Sequence, residues 1–274
     1  MARSATASPK RLPAERGEQV QSLVRALGLL NSVAAADEGL TLTELAQQVG
    51  LSASTAHRLL TTLEQERYVA FDAERRLWSV GVQAFAAGSA FLKTRSLVRA
   101  ARPHMRALVE ECEETVNLAV EDEAEAIYLA QVECRQMMRA SSRPGVRIPL
   151  HCSSVGKALL SVMPDAALSR ILHRHGLPRL TVKTLRTTAA LKADLLAARR
   201  RGYAVDDEEH AVGLRCVAAV IFNENGDGLA ALSLSGPMAR IADARIPLLG
   251  QLVRSKADAI TAQLGGKVPS WQPS

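Results

Sequence analysis

The first third of the chain carries three short amphipathic patterns followed by two strand-like runs. Apolar residues recur at helical spacing over 20–33, 42–49 and 56–63, and each pattern predicts a helix with one buried face. The runs 68–71 and 77–80 are rich in apolar and aromatic residues and predict a short hairpin. Three helices followed by a hairpin are typical of a winged helix-turn-helix, and an ordinary pair of packed helices is the alternative.

Glycines and small hydroxyl residues mark the helix ends in this part of the chain. A glycine suited to a C-terminal stop follows each of the first two patterns, and hydroxyl residues suited to an N-cap precede the second and third. The stops are Gly39 and Gly50, and the candidate caps are Thr41 or Thr43 for the second helix and Ser52 or Ser54 for the third.

Helical and strand-like patterns alternate in the rest of the chain. Helices are predicted at 98–113, 154–162, 165–174, 188–201 and 242–263, and strands at 115–121, 125–133, 137–142, 203–206, 215–222 and 229–235. Two hairpins, with turn signals at 122–123 and 225–228, favour a mostly antiparallel sheet with helices packed on it. The fold class is therefore α+β, with a second domain that resembles a GAF or PAS sensor.

Changes in pattern and composition divide the chain into five segments. The division is a mobile tail at 1–19, the winged helix-turn-helix at 20–81, a linker helix at 82–97, the second domain at 98–267 and a C-terminal tail at 268–274.

The composition excludes some classes of function but does not indicate which part of the chain binds a partner. The 274 residues are 47% hydrophobic and only 3% aromatic, with a formal net charge of +6 that is spread over both domains. So few aromatic residues argue against stacking on unpaired bases, and duplex DNA is the expected nucleic-acid partner. Because the chain has neither an apolar run of about 18 residues nor a secretory signal, we expect a cytoplasmic protein without membrane contact. The four cysteines fit neither a metal site nor a disulfide framework, so reduced thiols are expected.

The third helix presents residue types that read a DNA groove. No acidic residue occurs between 51 and 63, and Arg58 can hydrogen-bond a guanine edge through two donors. His57 is expected next to the core or facing a phosphate. The charges at 75–76 are interpreted as wing contacts, with solvated loop charge as the alternative. The predicted DNA-binding residues are Thr43, Ser54, Thr55, His57, Arg58, Arg75 and Arg76.

Five blocks of sequence, in this order, resemble the IclR family of bacterial transcriptional regulators. They are 54–60 with Leu63, 151–160, 202–210, 213–219 and 230–237, within a resemblance that extends from 20 to 264. The resemblance implies a winged helix that binds a palindromic operator, a linker helix that dimerises, and a C-terminal domain that binds a small metabolite. It also implies a homodimer or homotetramer that represses its own gene and a neighbouring catabolic operon.

The resemblance further implies an effector pocket, and the residue types constrain its ligand. The pocket would be lined by Ser154, Val155, Asp206, Leu214, Cys216, Ser233 and Ser235. The start of a helix at 154 supplies N–H donors for an anion, and two serines that alternate on one strand point to the same side. A keto or hydroxy acid such as glyoxylate or pyruvate fits this set, with an activator that senses an aromatic acid as the alternative. Ser154 stands where many relatives have glycine, and Val155 where some have alanine.

Two further interpretations compete with the effector site. The two strand serines can simply satisfy nearby backbone, and 207–209 can be a solvated acidic turn. A hydrolase that uses Cys216, His210 and Asp206 is an alternative of another class, but no G-x-S-x-G motif and no phosphate-binding loop occurs. We therefore expect neither catalysis nor a cofactor nor a bound metal.

Overall fold

The computed structural model describes residues 20–36, 38–94, 96–140 and 142–270, without the side chains of 89–94 and 96. The tail predicted at 1–19 and the last four residues of the tail predicted at 268–274 lie outside this description. The chain divides into two compact units with a boundary between Lys93 and Thr94. No helix within the described ranges is long and apolar enough to cross a membrane.

The first unit is a winged helix-turn-helix, as the sequence predicts. Its elements are α1 (Gln21–Ala35), α2 (Leu42–Val49), α3 (Ala53–Gln65), β1 (Val69–Asp72), β2 (Leu77–Val80) and α4 (Val82–Thr94). Of the candidate caps, Thr41 begins α2 in a reciprocal capping box with Glu44, and Ser52 caps α3. Gly50 adopts the left-handed conformation that the turn between α2 and α3 requires. Leu29, Leu45, Leu60 and Trp78 are among the residues of the buried core.

The second unit is an antiparallel sheet with helices on both faces. Its elements are α5 (Ser96–Cys112), β3 (Thr115–Asp122), β4 (Glu125–Val132), β5 (Arg147–Pro149), α6 (Ser154–Val162), α7 (Asp165–His175), α8 (Thr188–Arg201), β6 (Ala204–Asp207), β7 (Leu214–Phe222), β8 (Gly228–Pro237) and α9 (Ile246–Gln263). A 3-10 turn at Asp243–Arg245 precedes α9, which therefore begins later than the sequence predicts. The segment predicted as one linker helix at 82–97 corresponds to α4 and the start of α5.

The sheet has six strands in the order β5-β4-β3-β8-β7-β6, and every pair is antiparallel. Large aliphatic side chains line the face that packs against α5 and α9. The other face, which packs against α6 and α8, carries smaller residues such as Ala119, Ala218 and Ala231. Strand β8 lies inside the sheet between β3 and β7. The short strands β5 and β6 form the two edges of the sheet.

The strand predicted at 137–142 is wrong. The described residues of that segment lie in an irregular loop, and Met137 is fully exposed. The loop turns back at Gly145, whose positive φ of 91° suits glycine, and only then does the chain pair with β4 through Arg147–Pro149. The segment 137–142 contains no β-branched or aromatic residue, and its described residues have no strand edge to pair with.

Candidate functional site

In the first unit, the predicted DNA-binding residues occupy the surface of α3 and the wing, except Thr43, which is exposed near the start of α2. Ser54, His57 and Arg58 are exposed on α3, and Thr55 is partly buried. The Ser52 hydroxyl that caps the helix hydrogen-bonds the hydroxyls of Ser54 (3.2 Å) and Thr55 (2.9 Å). The interpretation of His57 as a core-adjacent residue is wrong, because its side chain faces solvent.

A cleft of about 590 Å³ separates α3 from the wing. Four of the predicted DNA-binding residues line it, namely Thr43, His57, Arg75 and Arg76. The wing turn is held by the Asp72 carboxylate, which accepts hydrogen bonds from the backbone N–H groups of residues 74 and 75. Arg75 pairs with Glu38 at 3.1 Å, so the wing charge has a partner on the protein itself. The exposure of this pair makes it weak and easily exchanged for a phosphate.

In the second unit, polar residues form a row across the α6 face of the sheet. We call this set the polar row: Gln131, Asn117, Ser235, Cys216 and Asp206, on strands β4, β3, β8, β7 and β6. Strand register places Ser235 opposite Cys216 and Cys216 opposite Asp206. The Asn117 amide joins Gln131 (2.9 Å) to the Ser235 hydroxyl (3.4 Å). The sequence analysis missed Asn117, although an asparagine in an otherwise apolar strand is a visible signal.

The start of helix α6 lies against this row. The hydroxyls of Ser154 and Ser235 lie beside the buried Cys216 thiol, where burial raises the pKa of the thiol and the two hydroxyls partly offset that rise. Ser153 caps the helix by accepting from the Gly156 N–H, and its own hydroxyl donates to the Pro149 carbonyl at 2.7 Å. The N–H groups of residues 154 and 155 belong to the first turn, which has no intrahelical acceptor for them. Helix N-terminal donors therefore face the polar row, an arrangement that suits an anion.

The two remaining predicted effector residues lie on the same face of the sheet as the polar row. Leu214 and Ser233 each lie two positions from a member of the polar row and share its face of the sheet. Ser233 is fully buried, and its hydroxyl has no hydrogen-bond partner among the described residues. The interpretation that it only satisfies nearby backbone is therefore wrong for Ser233.

Asp206 is a buried acid with two backbone donors. Its Oδ1 accepts from the N–H groups of Glu209 (2.8 Å) and His210 (3.3 Å). Burial outweighs these bonds and raises the pKa of the carboxyl to about 7. Burial also raises the pKa of the neighbouring Tyr128 hydroxyl and of the Cys216 thiol. The carboxyl is therefore partly protonated near neutrality and can itself donate a hydrogen bond.

The same geometry does not support the hydrolase alternative. Asp206 binds the backbone of His210, whereas a catalytic triad needs a carboxylate on the imidazole ring. Burial keeps the Cys216 thiol protonated, and the thiolate is the nucleophilic form. All four cysteines are free and buried, and no group of three His, Cys, Asp or Glu in the described part of the chain is arranged to hold a metal.

The interpretation of 207–209 as a solvated acidic turn is wrong for Glu209, whereas the Asp207 side chain remains 42% exposed. Arg215 binds Asp207, and Lys183 pairs with Glu208 at 2.5 Å. Glu209 is buried with only 6% of its surface exposed, and its carboxylate pairs with Lys157. The sequence analysis missed Lys157 as well, although it lies in a helix that is apolar on every side and therefore expected to be buried.

Known proteins resemble the chain along nearly its whole length. A model described as the IclR helix-turn-helix domain matches residues 22–73, and one described as bacterial transcriptional regulator IclR C-terminal matches 89–262. The acetate operon repressor of Salmonella typhimurium is 46% identical over 268 residues, covering 93% of this chain and 98% of that protein. The transcriptional repressor AllR of Escherichia coli is 36% identical, covering 90% and 91%. The crystal structure of Thermotoga maritima IclR superposes with a TM-score of 0.75 at 28% identity, covering 90% of this chain and all of that one.

Proposed function

This chain belongs to the IclR family of bacterial DNA-binding transcriptional regulators, and we propose that it represses a catabolic operon under the control of a small carboxylate. Glyoxylate and pyruvate represent the proposed ligand class. The similarity to an acetate operon repressor supports both a repressing role and a target in the metabolism of short acids. A regulator of bacterial operons works in the cytoplasm, where the DNA is.

One observation carries the effector proposal: the first turn of α6 abuts the polar row. Free N–H donors, the unpaired hydroxyl of Ser233 and a partly protonated Asp206 all suit a carboxylate that also has a keto or hydroxyl oxygen. The surrounding side chains are small or aliphatic. Of the aromatic residues available, Tyr128 neighbours the row, whereas Tyr203 and Phe222 pack in the cores. A small aliphatic acid is therefore favoured over an aromatic one.

Calorimetry on the full-length protein tests this assignment. We expect glyoxylate or pyruvate to bind and benzoate to bind much more weakly. Ser233→Ala should weaken binding at least about tenfold, the scale of one lost buried hydrogen bond to a charged group. Ser161→Ala, which removes a helical hydroxyl bonded to the Ala158 carbonyl, is the matched control. Binding of benzoate in preference to both keto acids would instead favour a sensor of aromatic acids.

The DNA-binding proposal rests on the exposed N-terminal part of α3, where no acidic residue occurs between 51 and 63, and on the adjacent wing. We propose that two copies, joined through the linker helix at 82–97, place two such surfaces on the halves of a palindromic site. Sedimentation of the protein alone and with an operator duplex measures whether a dimer or tetramer binds.

Arg58→Ala tests which residue reads the sequence. Loss of a bidentate guanine contact, about 1–3 kcal/mol, should weaken operator binding roughly tenfold or more while leaving non-specific binding in place. The control is Arg200→Ala, which removes the same charge from an exposed position on α8. Fluorescence anisotropy on operator and scrambled duplexes at several salt concentrations separates these effects. An equal loss on both duplexes would reduce Arg58 to a phosphate contact.

A further inference from the structure

The second unit contains a lysine whose charge is completely buried. Only 1% of the Lys157 side chain is exposed, and it is among the largest fully buried side chains in the described part of the chain. Its Nζ contacts the Glu209 carboxylate and lies 2.8 Å from Asp194 Oδ2. The three residues belong to α6, the β6–β7 connection and α8, so the cluster ties three separate segments together.

Stability alone does not account for this cluster. Removing the Lys157 ammonium and the Glu209 carboxylate from water costs several kcal/mol per ion, and apolar side chains of similar size would fill the same space without that cost. A buried charge cluster does impose geometry, because each ion must stay within contact distance of its partner.

The charges around Lys157 exclude direct neutralisation of an anionic ligand as its role. Two carboxylates already oppose the single ammonium. Burial alone would lower the pKa of Lys157, but Glu209 and Asp194 outweigh burial and raise the pKa, so the lysine stays charged. Lys157 therefore has no surplus charge with which to neutralise an anionic ligand. Its effect on such a ligand must pass through the groups that it holds.

Glu209 is the group that connects Lys157 to the candidate effector site. Its carboxylate is held by Lys157, its carbonyl accepts from the Thr184 hydroxyl at 2.7 Å, and its N–H donates to Asp206 Oδ1 at 2.8 Å. Lys157 itself lies in the first turn of α6, two residues after Val155. One side chain thus links the two halves of the site, the helix start and Asp206.

We propose that Lys157 is a positioning residue that, through Glu209, fixes the Asp206 carboxyl against the start of α6. The inference rests on the proposed effector site for its role in ligand binding. The contacts from Lys157 through Glu209 to Asp206 are present without a ligand. Asp194, which lies on the α8 side of Lys157 and makes no contact with Asp206 among the interactions described, completes the charge cluster without setting this geometry.

The test is a titration of the Asp206 carboxyl in ligand-free, full-length protein by carbon NMR, with Asp206→Asn assigning the signal. Lys157→Met alone leaves the buried Glu209 carboxylate without its cation and can unfold the domain, so Lys157→Met/Glu209→Gln is the principal variant. Asp194→Asn is the control. The charged and titratable groups around Asp206 are Tyr128, Cys152, Lys157, Glu209, His210 and Cys216.

We expect the double variant to stay folded and to bind operator normally, with an Asp206 midpoint that rises by about one pKa unit as the ordered N–H donors are lost. Glyoxylate affinity should fall about tenfold, which is 1.4 kcal/mol, and Asp194→Asn should change neither value by more than about twofold. An unshifted Asp206 midpoint in the folded double variant overturns the inference. Failure of glyoxylate and pyruvate to bind the wild type would reject the proposed ligand class, while the ligand-free titration still decides the role of Lys157.

Discussion

At the scale of single residues, the second unit is distinguished by an acid that is buried without a cationic partner in contact. The two hydrogen bonds to Asp206 come from neutral backbone groups, and the nearest ammonium is already held by Glu209 and Asp194. Burial therefore dominates, and the pKa rises from 3.8 to about 7. The protonation state of this one residue changes within the physiological range.

The raised pKa predicts a dependence of stability on pH. The folded state holds the proton more tightly than the unfolded state, so the stabilisation is complete below about pH 4 and is lost as pH rises towards 7. The shift corresponds to at most about 4 kcal/mol. Asp206→Asn should therefore gain stability relative to the wild type between pH 4.5 and 8, as measured by urea unfolding. The exposed Glu224→Gln should show no such gain, and parallel curves for wild type and Asp206→Asn would refute the assignment.

At the scale of elements, helix α6 is fixed by a close contact at its start. A Cβ on Gly156 would lie 2.3 Å from the Leu150 Cα and carbonyl oxygen, which are backbone atoms that cannot rotate away. The absence of a side chain at this position therefore lets the helix start approach the β5–α6 loop and, with it, the polar row.

Gly156→Ala should displace α6 rather than fill a gap. We expect a loss of about 2–3 kcal/mol in unfolding free energy, the scale of overpacking in a core, together with weaker binding of keto acids. Ser161→Ala is the control, because it changes the same helix without adding volume and removes only a hydroxyl that donates to the Ala158 carbonyl. That change should lower the unfolding free energy by no more than about 1 kcal/mol. Thermal unfolding of both variants measures the difference, and equal behaviour would contradict the contact.

The sequence predicted some elements correctly and others not, and local sequence signals explain the difference. The predicted bounds of α6 and α8 match the structure because hydroxyl caps mark both helix starts and Gly202 ends α8. The strand predicted at 137–142 was wrong because the segment has no β-branched or aromatic residue and its described part meets no strand edge. The seven effector residues followed from the family resemblance. The burial of Lys157 depends on Asp194 and Glu209, which lie 37 and 52 positions away.

At the scale of the whole molecule, the proposed DNA and ligand sites lie in different compact units. Regulation then requires a coupling free energy between them, typically about 1–3 kcal/mol or 5–150-fold in affinity. Thermodynamic linkage makes this coupling reciprocal. The factor by which glyoxylate or pyruvate lowers operator affinity should equal the factor by which operator lowers affinity for the acid, within error. Anisotropy and calorimetry on the same preparation measure the two factors, and unequal values would show that the measured species differ in assembly.

The position of β8 in the sheet indicates which parts of the proposed ligand site can respond when a keto acid binds. Ser233 and Ser235 lie on an interior strand that is paired along its length with β3 and β7. Amide protons of doubly paired interior strands exchange slowly, because their opening requires much of the sheet to unfold. The serine hydroxyls therefore belong to the part of the site that opens most rarely, whereas the α6 start and the connection after Asp206 can open locally without unfolding the sheet. Hydrogen exchange with and without a keto acid should change at residues 151–157 and 206–213 and leave β8 equally slow.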